Sequence, residues 1–286
     1  MRFLSGPHVE EAREALSREL PDLEIRSLRL GEQGWDNHTF VLNEDRIVRF
    51  AKDESFQARQ ERWVLRALPE FLPLDIPRLE WVGESILFTV YRRLPGVRLA
   101  EAWQSFDLWQ REEAIDRLVE FLATIHSTLD LAEAKAHGVS LEDARYDFVR
   151  ASMGSEGKWW EAARPAIRRI DALSHAPKVL HNDFHGENIL IDPATHRVTG
   201  VIDFGDVAYG DPCIDLNYLC EFDLGMADRI ARRYEAAGGE PVDPQRILDL
   251  YFLQTLDEYL DPDSPEIERI GFHRMLDEYV ARFGLH

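Results

Sequence analysis

His181-Asn182-Asp183-Phe184-His185-Gly186-Glu187-Asn188, continued by Ile189-Leu190-Ile191-Asp192 and answered by Ile202-Asp203-Phe204-Gly205-Asp206, is the stretch that decides the fold of this chain. It places two carboxylates and one amide at H-x-D-x-x-x-x-N and then I-D-F-G. Magnesium-dependent phosphoryl transfer asks little covalent chemistry of a protein. It asks for alignment of an acceptor hydroxyl and for oxygen ligands that hold the metal. Asp183 suits the carboxylate that orients the hydroxyl and receives its proton. Asn188 suits an amide oxygen ligand, and Asp203 the carboxylate ligand that a hard cation prefers. Asn188–Asp192 reads as a short buried strand, Pro193–Arg197 as a turn and Val198–Phe204 as the returning strand, so that Asp203 comes back beside Asn188. Gly186 is read as the residue that permits the tight loop. His181 reads as a hydrogen-bonding brace in a packed loop, whereas His185 and His175 have no evident partner.

Working outward, residues 8–19 form a short amphipathic helix pattern, and Glu24–Leu30, His38–Asn43 and Arg46–Ala51 read as strands with tight connections. Between the first two lies Gly31-Glu32-Gln33-Gly34-Trp35-Asp36-Asn37, a turn whose backbone N–H groups can face phosphates. No G-x-x-x-x-G-K-[ST] occurs, which argues against a P-loop fold. On the third strand, alternation puts Ile47, Arg49 and Ala51 on one face and Val48, Phe50 and Lys52 on the other. Phe56–Leu68 reads as a helix carrying Glu61. Prolines 69, 73 and 77 mark a loop before two further strands, Leu79–Gly83 and Ile86–Leu94. Beyond Leu99 the pattern turns helical, over Phe106–Leu129, Leu141–Ala151 and Trp159–Leu173. Leu118, Phe121, Leu122 and Ile125 mark the first of these as a buried spine, with His126 packed at its end. Asp211 reads as an N-cap with Pro212 at the first helical position, and Asp215 as a first-turn carboxylate with a structural role.

The chain has 286 residues and a formal net charge of −20. That length supports two lobes with separate cores. The charge disfavours nucleic acid and anionic membranes as partners and suits a cationic ligand. Its two cysteines, Cys213 and Cys220, read as small core residues, no disulfide being expected. No apolar run is long enough to span a bilayer. The expected setting is the reducing cytoplasm.

The segments HNDFHGENILID and GVIDFGDVAYGDPCIDL closely resemble the aminoglycoside phosphotransferase family, antibiotic-modifying relatives of protein kinases. Gly34-Trp35-Asp36-Asn37 and Leu94-Pro95-Gly96 extend the resemblance over about residues 25–220. It implies an α+β, two-lobed, protein-kinase-like fold, with a small antiparallel-sheet N-lobe (1–93) that binds nucleotide and a larger, mainly helical C-lobe (94–286). It implies Asp183 as catalytic aspartate, with Asn188 and Asp203 as Mg²⁺ ligands. A basic residue on the third strand then holds the α- and β-phosphates, paired with a glutamate on the next helix. Arg49 with Glu61 fills these roles and Lys52 is the reserve. Gly34 and Asn37 belong to the turn over the nucleotide, and the linker containing Tyr91 and Arg93 offers backbone groups to the purine of ATP or GTP. Glu221, Asp223, Asp257 and Glu258 are the expected contacts to a cationic acceptor. The implied activity is transfer of the γ-phosphate to a hydroxyl of a small molecule, an aminoglycoside foremost. A kinase for a macrolide, sugar, choline-like compound or amino alcohol, and a nucleotide-binding pseudoenzyme, remain the alternatives. Retention of Asp183, Asn188 and Asp203 together argues against the last.

Overall fold

The computed structural model describes residues 3–34, 36–53, 57–83, 86–143, 146–172 and 175–283. Trp35 of the glycine turn, Phe56 at the expected helix start and Leu173 at an expected helix end lie outside them.

The N-terminal part is built on period-2 burial. Strands β1 (Leu28–Leu30), β2 (Asn37–Leu42), β3 (Arg46–Ala51), β4 (Leu79–Val82) and β5 (Phe88–Arg92) form an antiparallel sheet in the order β1-β2-β3-β5-β4. Phe40, Leu42, Val48, Phe50, Phe88 and Val90 present one face to helix α1 (Val9–Glu19) and bury it against Ala12, Ala15 and Leu16. Alternation therefore sends Arg49, opposite Thr39 and Thr89, to the other face. That face meets helix α2 (Gln57–Ala67). Trp63, Val64 and Leu65 of α2, with Leu68 beyond it, pack into the core of the helical lobe, so α2 bridges the two lobes.

The chain crosses at Gly96, whose φ of +127° belongs to glycine and whose absent Cβ would lie 2.6 Å from the carbonyl oxygen of Ile191. Strand β6 (Val97–Arg98) and helix α3 (Leu99–Ala102) lead to the spine helix α4 (Leu108–Thr128). Asp107 and Gln110 close a reciprocal capping box that sets its start. Then come α5 (Leu131–Ala136), α6 (Asp147–Ala151), α7 (Lys158–Ala172), β7 (Lys178–Leu180), β8 (Ile189–Asp192), β9 (Arg197–Val201), β10 (Ala208–Gly210), α8 (Cys213–Asn217), α9 (Ala227–Ala236), α10 (Pro244–Leu260) and α11 (Glu266–Phe283). β6, β8 and β9 form a small sheet, and β7 pairs with β10. Cys213 and Cys220 are free and buried, as expected.

The architecture is the expected two-lobed α+β arrangement, with local corrections. The helix expected over 141–151 starts only at Asp147, because Leu141 is used in a bridge to Tyr209. The first strand starts at Leu28 and not at Glu24, since Asn43 takes the Arg26 and Ser27 amides into its side chain. The returning strand ends at Val201, because Asp203 adopts a left-handed φ of 63° incompatible with a ladder.

Candidate active site

The short sheet positions the chemistry. β8 and β9 pair with Ile189 opposite Val201, and Ile202 N–H donates to the Asn188 carbonyl at 2.9 Å. Asp203, one residue on, is thus brought beside Asn188 by backbone register, as the sequence indicates. Asn188 sits one residue before the strand, in a 3₁₀ turn over Gly186–Asn188. Gly186 lies in the tight loop, as read, but does not adopt a left-handed conformation. That conformation belongs to Asn182 (φ 66°), a residue type whose short polar side chain tolerates it. Gly186 is required instead by close approach, since a Cβ there would meet Ala100 N at 3.2 Å and Phe222 Cζ at 3.1 Å.

The loop between β7 and β8 is held from beneath by Asp215, which is 0% exposed. One carboxylate oxygen accepts the His181 N–H (2.8 Å) and His126 Nε2 (2.9 Å), and the other accepts the Asn182 N–H (2.7 Å). His126 Nδ1 bonds the Tyr234 hydroxyl at 2.8 Å. Asp215 is therefore structural, as expected, but through these amides and not through the field of its own helix. His181 is the brace the sequence suggests: Nε2 donates to the Ile202 carbonyl (3.1 Å) and Nδ1 accepts the Asp183 N–H (3.3 Å). Burial lowers its pKa, in keeping with a neutral ring. Asp215→Ala is expected to destabilise the fold by about 3–5 kcal/mol, because it strands two buried amides and His126. Denaturant unfolding checks this; a loss under about 1 kcal/mol would remove Asp215 as the keystone.

Asp183 is partly exposed on this platform. Asn188 Nδ2 donates to its Oδ2 (2.7 Å) and backbone carbonyl (3.0 Å), and His185 Nε2 lies 3.2 Å from Oδ1. Burial would raise the carboxyl, but the hydrogen bond and charge of His185, with His181 and Asn188, outweigh it and hold Asp183 below the usual range. Burial disfavours the His185 cation, yet Asp183 and the charges of Glu221 and Glu187 raise its pKa. The Glu187 N–H donating to Nδ1 (3.2 Å) leaves Nε2–H to face Asp183. His185 is a partner that sequence reasoning missed.

Arg49 and Glu61 meet as expected. Arg49 Nη1 contacts Glu61 Oε1 at 2.7 Å and Nη2 contacts Asp203 Oδ1 at 2.8 Å, with Glu61 only 2% exposed. Burial opposes the guanidinium, but the two carboxylates push its pKa well above the ordinary value, so it stays charged. Tyr91, read as part of the linker, lies within β5. It is buried opposite Ile47, with its hydroxyl near the Arg49 guanidinium. The Arg93 N–H is engaged by the Asp45 carbonyl at 2.8 Å and its side chain is exposed. Lys52 Nζ donates to the Gly34 carbonyl at 2.8 Å and Lys52 N–H to the Asp36 carbonyl at 2.9 Å, so it fastens the glycine turn. Asn37 is the buried first residue of β2, opposite Ala51. Burial first, then Asp203, raises the Asp36 carboxyl, so the turn stands within electrostatic reach of the acid pair below.

The residues present fit a hard divalent cation. Turning the Asn188 amide nitrogen to Asp183 leaves its oxygen directed away from that carboxylate, and Asp203 is 38% exposed with Arg49 on Oδ1 alone among the described residues. One amide and one carboxylate oxygen, completed by phosphate and water, suit Mg²⁺. A second group, His175, Asp211 and Cys213, has donor atoms within 4.8 Å of one another. There the Arg246 guanidinium sits on Asp211 at 2.5 Å, and burial followed by Asp211 pushes the Cys213 thiol up, both adverse to a cation.

Of the four expected acceptor contacts, two approach the loop of Asp183 and His185. Glu258 lies half-buried near Asp183 and His185, its carboxyl raised chiefly by burial, and accepts from Gln254 Nε2 at 3.1 Å. Glu221 is solvent-accessible yet crowded enough that burial raises it, with His185 opposing. Asp257 and Asp223 serve other ends: Asp257 accepts the Val149 N–H (2.9 Å), and Asp223 accepts the Gly225 N–H (2.7 Å) and pairs with Arg282 (3.4 Å).

The sequence model of the phosphotransferase enzyme family matches residues 27–250. The aminoglycoside 3'-phosphotransferase of Streptomyces fradiae is 26% identical over 247 residues, covering 80% of each chain. The viomycin phosphotransferase of Streptomyces vinaceus is 27% identical over 253 residues, covering 81% of this chain and 84% of the relative. Among solved structures, the GDP complex of an aminoglycoside 2'-phosphotransferase-IIIa superposes with a TM-score of 0.74 at 20% identity, over 96% of this chain and 99% of that one. The last likeness concerns the fold.

Proposed function

The chain belongs to the phosphotransferase enzyme family, and on that premise we propose that it transfers the γ-phosphate of ATP or GTP, with Mg²⁺, to a hydroxyl of a small cationic molecule of the aminoglycoside class. The observation that carries this reading is Asp183, partly exposed and hydrogen-bonded by Asn188 and His185, one short hairpin away from Asp203. Asp183 aligns the acceptor hydroxyl and takes its proton. Asn188 and Asp203 hold the metal, which neutralises charge on the phosphates. Arg49, kept charged by Glu61, faces the α- and β-phosphates. Gly34 and Asn37 belong to the turn above them, fastened by Lys52. The purine lies along the segment after Tyr91, and the lobes divide after Arg93. No helix among the described residues is long and apolar enough to cross a membrane. We place the enzyme in the cytoplasm, where both nucleotides are at hand.

Arg49→Ala is expected to raise the nucleotide KM about tenfold or more, or to lower kcat comparably, while Lys52→Ala changes either by less than about threefold. Steady-state kinetics with each variant rank the two cations. The reverse order would mean that Lys52 is the phosphate contact.

Glu258 and Glu221 supply the charge that selects an ammonium-bearing acceptor, since Glu258 stands near Asp183 and His185, Glu221 near His185, and neither forms an ion pair with a lysine or arginine among the described residues. Glu258→Gln is expected to raise the acceptor KM about tenfold with little change in nucleotide KM, and Asp223→Asn to do much less because Arg282 and Gly225 already use that carboxylate. The acceptor KM should also rise with ionic strength. Equal effects of Glu258→Gln on both substrates, or none with salt, would favour an uncharged alcohol.

A further inference from the structure

On the outer face of α2, turned away from Glu61 by the helical period, Arg59, Arg62 and Arg66 line a cavity of about 410 Å³ together with Trp63, Ala67, Glu133 and His137. The three arginines stand at i, i+3 and i+7, a spacing at which like charges repel along a helix. Such a concentration of guanidinium groups is notable in a chain of net charge −20. Arg62 is fixed: its Nη2 donates to the carbonyls of Gly83 (3.0 Å) and Phe88 (2.6 Å). Arg59 and Arg66 are exposed, and neither forms an ion pair or hydrogen bond with another of the described residues. The one carboxylate in the lining, Glu133, is thus outnumbered and unpaired with them. The opposite wall is the end of α5, where His137 stacks on Trp63 of α2 at 5.5 Å and 18°. Gln60 Nε2 donates to the Gly138 carbonyl at 2.5 Å, so the two walls are tied together and the cavity is preformed.

We propose that this cavity is a binding site for a small phosphorylated molecule with a planar body, separate from the catalytic cleft. Guanidinium forks match phosphate oxygens in geometry as well as charge. The volume lies in the range of small-ligand sites, roughly 300–1,000 Å³. A phosphate there relieves the repulsion among the three arginines, and the planar body lies along His137. The inference is independent of which acceptor the catalytic cleft takes.

The test is a calorimetric titration of the full chain with phenyl phosphate, with phenol as the neutral counterpart, in the absence and presence of saturating Mg–ADP. One equivalent of phenyl phosphate is expected to bind with the same affinity under both conditions, and phenol is expected not to bind. In Arg59→Gln/Arg66→Gln, the Kd is expected to rise about tenfold or more, since charge-assisted contacts are lost. These side chains are exposed, so thermal unfolding of the variant should match that of the parent. Absence of phenyl phosphate binding to the parent, its abolition by Mg–ADP, or an unchanged Kd in the double variant would overturn the proposal. His137→Ala, which leaves the arginines in place, should weaken phenyl phosphate and leave inorganic phosphate unaffected; the opposite pattern would remove the planar-body assignment.

Discussion

Asp183→Asn is expected to lower kcat by about 10²–10⁴-fold while leaving Mg–nucleotide affinity nearly unchanged. The reasoning is local. Asp183 takes its hydrogen bonds from Asn188 and His185, and its lowered pKa keeps it ionised and able to accept a proton at neutral pH. Its contacts run to the platform of the loop, away from Arg49 and Glu61, so the nucleotide site is not rebuilt by the change. Asparagine preserves size and some hydrogen bonding but cannot serve as the proton acceptor. Turnover measured beside calorimetric nucleotide binding separates the two quantities. Near-parental turnover with a verified acceptor would end the assignment of Asp183.

Asp203→Ala is expected to weaken Mg–nucleotide binding and turnover together, lowering kcat/KM by about 10²-fold or more, because loss of a metal ligand removes several kcal/mol of charge stabilisation. Two features make the effect specific. The left-handed φ of 63° points to a backbone arranged around this side chain, and Arg49 retains Glu61 as a partner when Asp203 is removed. The variant should therefore fold and keep its guanidinium in place. Unchanged affinity for Mg–nucleotide in a calorimetric titration would take Asp203 out of the metal site.

The sequence was informative where function is written in local spacing. The hairpin that returns Asp203 to Asn188 and the separation of Arg49 from Lys52 on opposite faces of β3 were readable, because alternation and short turns leave little choice of geometry, whereas the pairing of Arg49 with Glu61 was implied by the family resemblance. What escaped were contacts that depend on distant segments. His126 was legible only as a packed residue at the end of α4; its partners Asp215 and Tyr234 come from α8 and α9. The left-handed step at Asn182 was not legible, because the Asp215 carboxylate that holds the amides around it comes from α8. In the acidic C-terminal region, charge density alone could not tell cleft carboxylates from caps. Asp223 and Asp257 serve amides of Gly225 and Val149, while Glu221 and Glu258 approach His185 in the loop before β8.

The most direct measurement of the central claim incubates the protein with Mg²⁺ and either ATP or GTP against a panel of aminoglycosides, macrolides and neutral metabolite alcohols, following nucleotide turnover by a coupled assay and the acceptor by mass spectrometry. The predicted result is acceptor-dependent turnover with gain of one phosphoryl group on an amine-rich aminoglycoside, lost in Asp183→Asn and on chelation of the metal. Phosphorylation of a neutral alcohol with no turnover of any aminoglycoside would contradict the acceptor class, and no acceptor-dependent turnover across the panel with either nucleotide would contradict the account.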